Sequence, residues 1–285
     1  MERCGAGVIS KQVKRLVDLA LEEDIGSGDI TTESLIPADR SGKGRIVAKQ
    51  MLTVAGLEVA AYVFQRLDPD ADMAMRCADG DVIEPGTVMA VVAGRLRALL
   101  TAERTALNFL QRLSGIATHV TAYTEPLKGS PVKLVDTRKT TPGWRVLEKY
   151  AVRVGGAQNH RSGLFDGVLI KDNHIAACGG ITEAVRRIRQ RASHLVRIEV
   201  EAASLEEVAE AFAAGADVIM LDNMSDAQIH KTVTMIGDRA VVEVSGGITR
   251  GRLVRLSAAG AHLVSVGELT HAATSVDISM DIQPS

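Results

Sequence analysis

The three cysteines, Cys4, Cys77 and Cys178, lie far apart and form no C-x-x-C pair, which argues against a disulfide framework and against a structural zinc site. Such a chain suits a reducing compartment, and a cytoplasmic location is expected. An excess of one charge sign is missing as well: 33 Lys plus Arg face 35 Asp plus Glu, a formal net charge of -2. Without a basic excess there is no general electrostatic grip on nucleic acid or anionic lipid, so no nucleic acid and no membrane is expected as a partner. Any anion must be held locally. No apolar run is long enough to cross a bilayer, residues 1–14 lack the apolar stretch of a signal peptide, and no low-complexity segment or disordered linker interrupts the chain. What is present is a globular composition, 285 residues of which 46% are hydrophobic, enough for one large core or two smaller ones.

From about residue 132, short β-branched runs at 132–136, 168–171, 196–201, 217–222, 240–245 and 262–267 alternate with amphipathic stretches such as 181–191, 205–214, 226–236 and 250–259. Ser204 and Ser225 stand where helix N-caps belong. This rhythm predicts parallel strands, with each helix returning the chain to the same edge of the sheet. The first half lacks it. There the pattern predicts a helix at 11–23, a Gly/Thr/Ser loop at 25–32, a strand at 44–50, a helix at 56–67, and strands near 74 and 87–92 joined by the turn-rich 78–86. A separate lobe is expected, connected to the repeat region by a helix at 101–113 that extends toward Tyr123.

In a βα barrel, catalytic groups gather at the carboxyl ends of the strands, where the loops converge. Each run here ends in polar residues: Asp136-Thr137-Arg138-Lys139, Lys171-Asp172-Asn173-His174, Glu199-Val200-Glu201, Asp222-Asn223, Ser245-Gly246-Gly247 and Gly267-Glu268. Arg138, Lys139, Lys171 and the nearby Arg161 supply cations, and guanidinium forks match carboxylates. Glu201 and Asp222 suit magnesium or sugar hydroxyls. The turn 245–247 precedes a helix, where bare backbone N–H groups can approach a phosphate. Taken singly, each has a plainer reading: Arg138 and Lys139 as a solvated loop pair, Glu201 as surface charge, Asp222 as a helix cap, His160 as a structural hydrogen-bonding residue. His174 and Cys178, four residues apart, make an incomplete metal set. Lys171 also fits a Schiff-base lysine of an aldolase-like enzyme, and a phosphate or nucleotide sensor is a further alternative. Composition and spacing alone end at an α/β-barrel enzyme acting on an anionic, phosphorylated substrate.

The strings themselves go further. Residues 136–143 (Asp-Thr-Arg-Lys-Thr-Thr-Pro-Gly), 159–164 (Asn-His-Arg-Ser-Gly-Leu) and 170–174 (Ile-Lys-Asp-Asn-His) resemble signature segments of the quinolinate phosphoribosyltransferase family. The similarity extends to 23–32, 103–108, 220–223, 245–248 and 267–271, in order and across essentially the whole chain. The resemblance implies an α/β fold with an N-terminal α/β sandwich lobe over 1–113 and a seven-stranded open, TIM-like α/β barrel over 114–273, with residues 274–285 packing back on the lobe. The seventh strand would lie around 159–161. It further implies a magnesium-dependent transfer between quinolinate and phosphoribosyl pyrophosphate that yields nicotinate mononucleotide, pyrophosphate and carbon dioxide. Quinolinate would be held by Thr137, Arg138, His160, Arg161 and Lys171, with Arg104 reaching in from the neighbouring subunit of a homodimer or higher assembly. Lys139, Glu201 and Asp222 would serve phosphoribosyl pyrophosphate and its Mg2+, and Ser245, Gly246, Gly247, Val266, Gly267 and Glu268 would cradle the 5′-phosphate. Ala157, Glu268 and Ala272 depart from the usual family pattern. Glu268 places an extra negative charge near that cradle. A sister branch linked to molybdenum transport shares the Thr-Arg-Lys string but usually lacks a segment like 171–174.

Overall fold

The strand Ser41–Ala48 alternates exposed and buried residues before its last three positions, whereas Val218–Asp222 is buried at every position up to Asp222. Alternation belongs to an antiparallel sheet with one solvated face; a continuous buried run belongs to a parallel sheet covered on both. The computed structural model, which describes residues 8–284, contains both kinds, together with a two-stranded antiparallel pair formed by Leu52–Thr53 and Val82–Ile83. Cys4 and residues 1–7 of the leading segment lie outside the described residues.

The chain divides into two compact units. The first takes the chain up to Thr121, then Thr140–Gly156, then everything from Thr270 onward. Its sheet orders four antiparallel strands as Ile278–Pro284, Ser41–Ala48, Val88–Arg95 and Asp72–Met75. Residues 274–285 thus contribute a strand to this sheet, Met280 lying opposite Ile46. The helices Lys11–Ile25 and Leu57–Leu67 belong to the same unit. The loop read at 25–32 is interrupted by the short helix Ile30–Leu35, whose N-cap Asp29 accepts the Thr32 N–H at 2.9 Å. Six residues are too few for periodicity to register.

The connecting helix runs Leu96–Thr124, 29 residues, so the boundary placed at 113/114 falls inside it. Leu99, Ala102, Ala106, Phe109, Leu110, Leu113, Ile116, Ala117 and Val120 are buried at three- and four-residue spacing, which fixes the opposite face, with Arg104, outward. A helix absent from the sequence reading, Arg145–Val154, joins the same unit. Trp144 stacks on Phe109 with ring centroids 4.7 Å apart. Arg112 donates to the fully buried Glu148 at 2.8 Å and to the carbonyl oxygens of Thr270 and Ala273, holding the returning chain in place.

The second unit comprises Ala122–Lys139 and Ala157–Leu269. Six parallel strands lie in the order Lys133–Val135, Leu263–Ser265, Val241–Ser245, Val218–Asp222, Ile198–Ala202, Val168–Ile170. The helices Ile181–Arg191, Leu205–Ala213, Asp226–Ile236 and Arg250–Ala258 alternate with them. Ile198, Val200, Ile219, Leu221, Val242, Val244 and Val264 are all buried, each contributing about 1.5–3 kcal/mol by leaving water. The seven-stranded barrel is not reproduced as such: among the described residues the sheet has six strands and does not close. The segment expected as the seventh makes one isolated parallel bridge, Gln158 to Val135, too short to count as a strand.

Gly115 offers a direct test of the packing around the long helix. A Cβ there would stand 2.1 Å from the Thr274 carbonyl oxygen, so the helix and the returning chain meet through bare backbone. Ala normally favours a helix over Gly by about 1 kcal/mol. Gly115→Ala is expected to reverse that sign and destabilise by about 1–3 kcal/mol in urea unfolding, as overpacking does. A gain in stability would contradict the packing described.

Candidate active site

Parallel register delivers strand ends to one edge. Ser245 pairs with Asp222, Ser265 with Val135 and Ile170 with Val200, so the residues that follow emerge together. That edge receives Thr137, Arg138, Lys139, Lys171, Glu201, Asp222, the turn 245–247 and the segment 266–268. Through the Gln158 bridge it also receives His160 and Arg161.

Asp136, fully buried just after its strand, organises the cationic side of this edge. One of its oxygens accepts Asn159 Nδ2 at 2.6 Å and the other accepts the His160 backbone N–H at 2.8 Å. The His160 ring is held at both nitrogens. Nδ1 accepts the Arg161 N–H at 2.8 Å, so the ring proton sits on Nε2, which donates to Glu199 at 2.9 Å. While these bonds hold, neither ring nitrogen is available to a ligand.

The half-buried Arg161 donates through Nη1 to the Gly167 carbonyl at 3.1 Å, while its buried Nε has no hydrogen-bond partner among the described residues. Its affinity for its proton is pushed below the ordinary arginine range, first by burial and then by the charge of Arg138, against the pull of Glu199 and Asp166. Arg138 and Lys139 are exposed, and Thr137 Oγ1 accepts the Lys139 N–H at 3.1 Å. Two guanidinium groups therefore lie within electrostatic reach of one another, one of them partly dry and with an N–H left over. An anion with more than one oxygen is the natural complement.

Opposite charges lie on the neighbouring strands. Lys171 Nζ is bonded to Glu201 Oε2, joining a residue expected to hold quinolinate to one expected to hold the sugar phosphate. Held by a carboxylate rather than set in an apolar pocket, Lys171 lacks the surroundings that make a lysine nucleophilic, against the Schiff-base alternative. His174 Nδ1 accepts the Lys171 N–H at 3.0 Å as a helix cap, and no metal-ligand group containing His174 and Cys178 occurs among the described residues.

Asp222 accepts Asn223 Nδ2 at 2.9 Å, and the Asn223 N–H donates to the Ser245 carbonyl at 3.1 Å. Asn223 adopts φ 53°, and Gly246 adopts φ 86° with Asn223 Oδ1 standing 2.2 Å from where a Cβ would be. Only glycine fits at 246, so the turn exposes backbone beside Asp222, ahead of the helix Arg250–Ala258. On the next strand, Val266 donates its N–H to the Val135 carbonyl at 3.0 Å and Gly267 follows. The Glu268 carboxylate accepts the Tyr123 hydroxyl at 3.0 Å, and the Arg250 guanidinium lies 5.9 Å from the centre of that ring, so the unusual charge is engaged at this end of the turn.

Arg104 belongs to the first unit. It is exposed and lines a cavity of about 340 Å³ with Asp24, Gly28, Asp29 and Thr101 among its walls. Asp29 there accepts the Thr101 hydroxyl at 2.9 Å, and Asp24 accepts Thr105 at 3.3 Å. The signature segment 23–32 thus shapes the surroundings of Arg104.

Sequence reasoning passed over Asp136 as an organiser and overlooked a buried group altogether: His160, Glu199 and Glu243, whose ligand-capable atoms all lie within 4.8 Å of one another. Glu243 Oε2 is 3.7 Å from His160 Nε2, and Glu243 is fully buried. The available signal was charge in apolar runs, since Glu199 sits between Ile198 and Val200 and Glu243 between Val242 and Val244. Burial, reinforced by the charge of Glu199 and opposed by His160, pushes the Glu243 carboxyl up to about 8.

Known proteins resemble this chain throughout. Residues 29–114 match the model for the quinolinate phosphoribosyl transferase N-terminal domain, and residues 116–281 match that for the C-terminal domain. A probable nicotinate-nucleotide pyrophosphorylase [carboxylating] from Bacillus subtilis is 46% identical over 95% of this chain and 93% of its own length. The chloroplastic nicotinate-nucleotide pyrophosphorylase [carboxylating] of Arabidopsis thaliana is 38% identical over 95% of this chain and 82% of its own. Among solved structures, NadC from Streptococcus pyogenes superposes with a TM-score of 0.94 at 41% identity, covering 99% of this chain and 100% of that one.

The raised Glu243 carboxyl makes stability depend on pH with a definite sign. Between its ordinary 4.5 and about 8 the folded protein holds a proton that the unfolded chain has released, so this contribution is full below 4.5 and lost as pH rises through about 8. The melting temperature of the wild type relative to Glu243→Gln, which cannot ionise, is expected to fall across that window. Parallel curves for the two proteins would contradict the assignment.

Proposed function

Because the chain belongs to the quinolinate phosphoribosyltransferase family and is thereby a carboxylating nicotinate-nucleotide pyrophosphorylase of NAD biosynthesis, we propose the following division of labour within its site. Arg138, Arg161 and Lys171 hold the two carboxylates of quinolinate, with Thr137 and the edge of His160 beside them. Lys139, Glu201 and Asp222 serve phosphoribosyl pyrophosphate, and the backbone of 245–247 and 266–268 receives its 5′-phosphate. The observation that carries this reading is Arg161, partly dried, repelled by Arg138 and left with an unpartnered Nε. A dicarboxylate answers all three conditions.

Glu201 and Asp222 fit magnesium, because both offer carboxylate oxygens on an open edge, and this ion commonly takes one or two such ligands together with substrate phosphates. When bound, magnesium neutralises charge on the departing pyrophosphate. Lys139 supports the same leaving group from its exposed position. As the bond from the anomeric carbon to pyrophosphate breaks, positive charge grows on the ribose, and a carboxylate from Glu201 or Asp222 stabilises it. The diacid clamp aligns the pyridine nitrogen for attack on that carbon. Once ribosylated, the cationic nitrogen accepts the electron pair left when the adjacent carboxylate departs as carbon dioxide, and a solvent proton completes the ring carbon. Binding also exchanges partners: Lys171 turns from Glu201 to quinolinate and frees Glu201 for the sugar side.

The seventh segment, bridging at Gln158, completes an open seven-stranded barrel in this reading, and Arg104 acts across the interface of a homodimer or higher assembly. Supporting the assembly, Ile30 and Leu35 near the Arg104 cavity are 82% and 71% exposed, and Leu164 and Phe165 beside Arg161 are 75% and 88% exposed. Free Cys77 and Cys178 and the absence of any membrane-spanning helix among the described residues accord with a cytoplasmic location.

Steady-state kinetics test the roles. Arg138→Ala and Lys171→Ala are each expected to raise KM for quinolinate by about 10- to 150-fold, the worth of a charged hydrogen bond, with a much smaller change for phosphoribosyl pyrophosphate. Asp222→Ala should abolish turnover while the melting temperature stays near wild type. Equal losses for both substrates would break the assignment. For the shared site, mixing refolded Arg104→Ala and Lys171→Ala subunits should restore activity that neither has alone, and no restoration would remove Arg104 from its partner's site.

A further inference from the structure

We propose that Glu199 and Glu243 are positioning residues: a buried carboxyl pair beneath the site, which locks the His160 ring as its Nε2–H form and so holds Arg161 in place for the diacid. The argument begins with unsatisfied atoms. Glu199 Oε1, both oxygens of Glu243 and Ser265 Oγ are buried without a hydrogen-bond partner among the described residues. Two bare carboxylates this close and this dry would repel, and the Ser265 hydroxyl beside Glu243 brings no positive charge to offset that. One proton resolves the conflict, because a protonated Glu243 becomes a donor toward its neighbours. Glu199 keeps the Nε2–H bond at 2.9 Å. The proton on Nε2 leaves Nδ1 with its lone pair free, and that lone pair accepts the Arg161 N–H at 2.8 Å. The chain of contacts therefore runs from Glu243 through Glu199 and the ring to the backbone of Arg161, whose guanidinium lacks a carboxylate of its own.

The same three residues could instead grip a divalent cation. The 2.9 Å contact between Nε2 and Glu199, with Nδ1 already accepting the Arg161 N–H, favours a proton on Nε2, since metal coordination would require a bare Nε2. The device rests on the assignment of Arg161 to quinolinate, and the experiment separates the two claims.

The ring form can be read without substrate, from the nitrogen chemical shifts of His160 in labelled protein: Nδ1 unprotonated and Nε2 protonated at neutral pH. Kinetics supply the second readout. Glu243→Leu and Glu199→Leu are expected to raise KM for quinolinate about tenfold while KM for phosphoribosyl pyrophosphate stays within about twofold, equivalent to roughly 1.4 kcal/mol at the diacid alone. Glu243→Gln, neutral like the protonated acid and able to donate, should rescue the Leu defect. Where a Leu variant fails to fold, the shifts of the wild type and the rescue by Gln decide. A doubly protonated or Nδ1–H ring, failure of Gln to rescue, or a tightly bound stoichiometric divalent metal lost in Glu243→Gln would overturn the proposal. The expected shifts combined with unchanged quinolinate affinity in well-folded Leu variants would instead show the ring locked but Arg161 independent of it, which overturns the positioning role and directs doubt to the diacid assignment.

Discussion

Two guanidinium groups that repel one another at the end of a parallel sheet, neither ion-paired to a carboxylate among the described residues, are the constraint on which the rest of this site depends. Arg161 is half-buried and pushed toward losing its proton by burial and by Arg138. Such an arrangement is costly in the free protein and becomes favourable only when anionic oxygens enter. The surrounding architecture exists to hold that tension in place. Asp136 fastens the Asn159–His160 backbone to the first strand, and the imidazole of His160 fastens Arg161 in turn.

The two sheets divide the work. A parallel sheet buried on both faces gathers side chains from strands distant in sequence at one edge, which suits a site that must recognise an aromatic diacid and an activated sugar phosphate together. The antiparallel unit carries the long helix that presents Arg104 on its exposed face. Within the parallel unit, the Lys171–Glu201 ion pair ties together two neighbouring strand ends of the site.

Much of this was legible from residues alone, for reasons that differ by element. The parallel strands announced themselves because strands such as Val218–Asp222 are continuous apolar runs ending in a polar residue, and the motif strings named the family. The turn 245–247 was readable because its glycines have a steric purpose: Asn223 occupies the space a Cβ at 246 would need. Short or irregular elements were not. The helix Arg145–Val154 follows a turn-rich signature string that masks its pattern, and the Gln158 segment pairs through a single bridge that no periodicity can reveal. The Glu199 and Glu243 pair was hidden for a different reason. A carboxylate inside an apolar run looks like a strand-end charge in the sequence, and only the packed structure shows that Glu243 is fully buried.

The central claim is that the cationic edge is built for two carboxylates and not one. The most direct measurement is the specificity ratio kcat/KM for quinolinate over nicotinate, in the presence of phosphoribosyl pyrophosphate and magnesium, with wild type and with Arg138→Ala. A large preference for quinolinate in the wild type that collapses in the variant is the expected result. A wild-type enzyme that uses both pyridines equally well, or a preference untouched by loss of Arg138, would contradict the account.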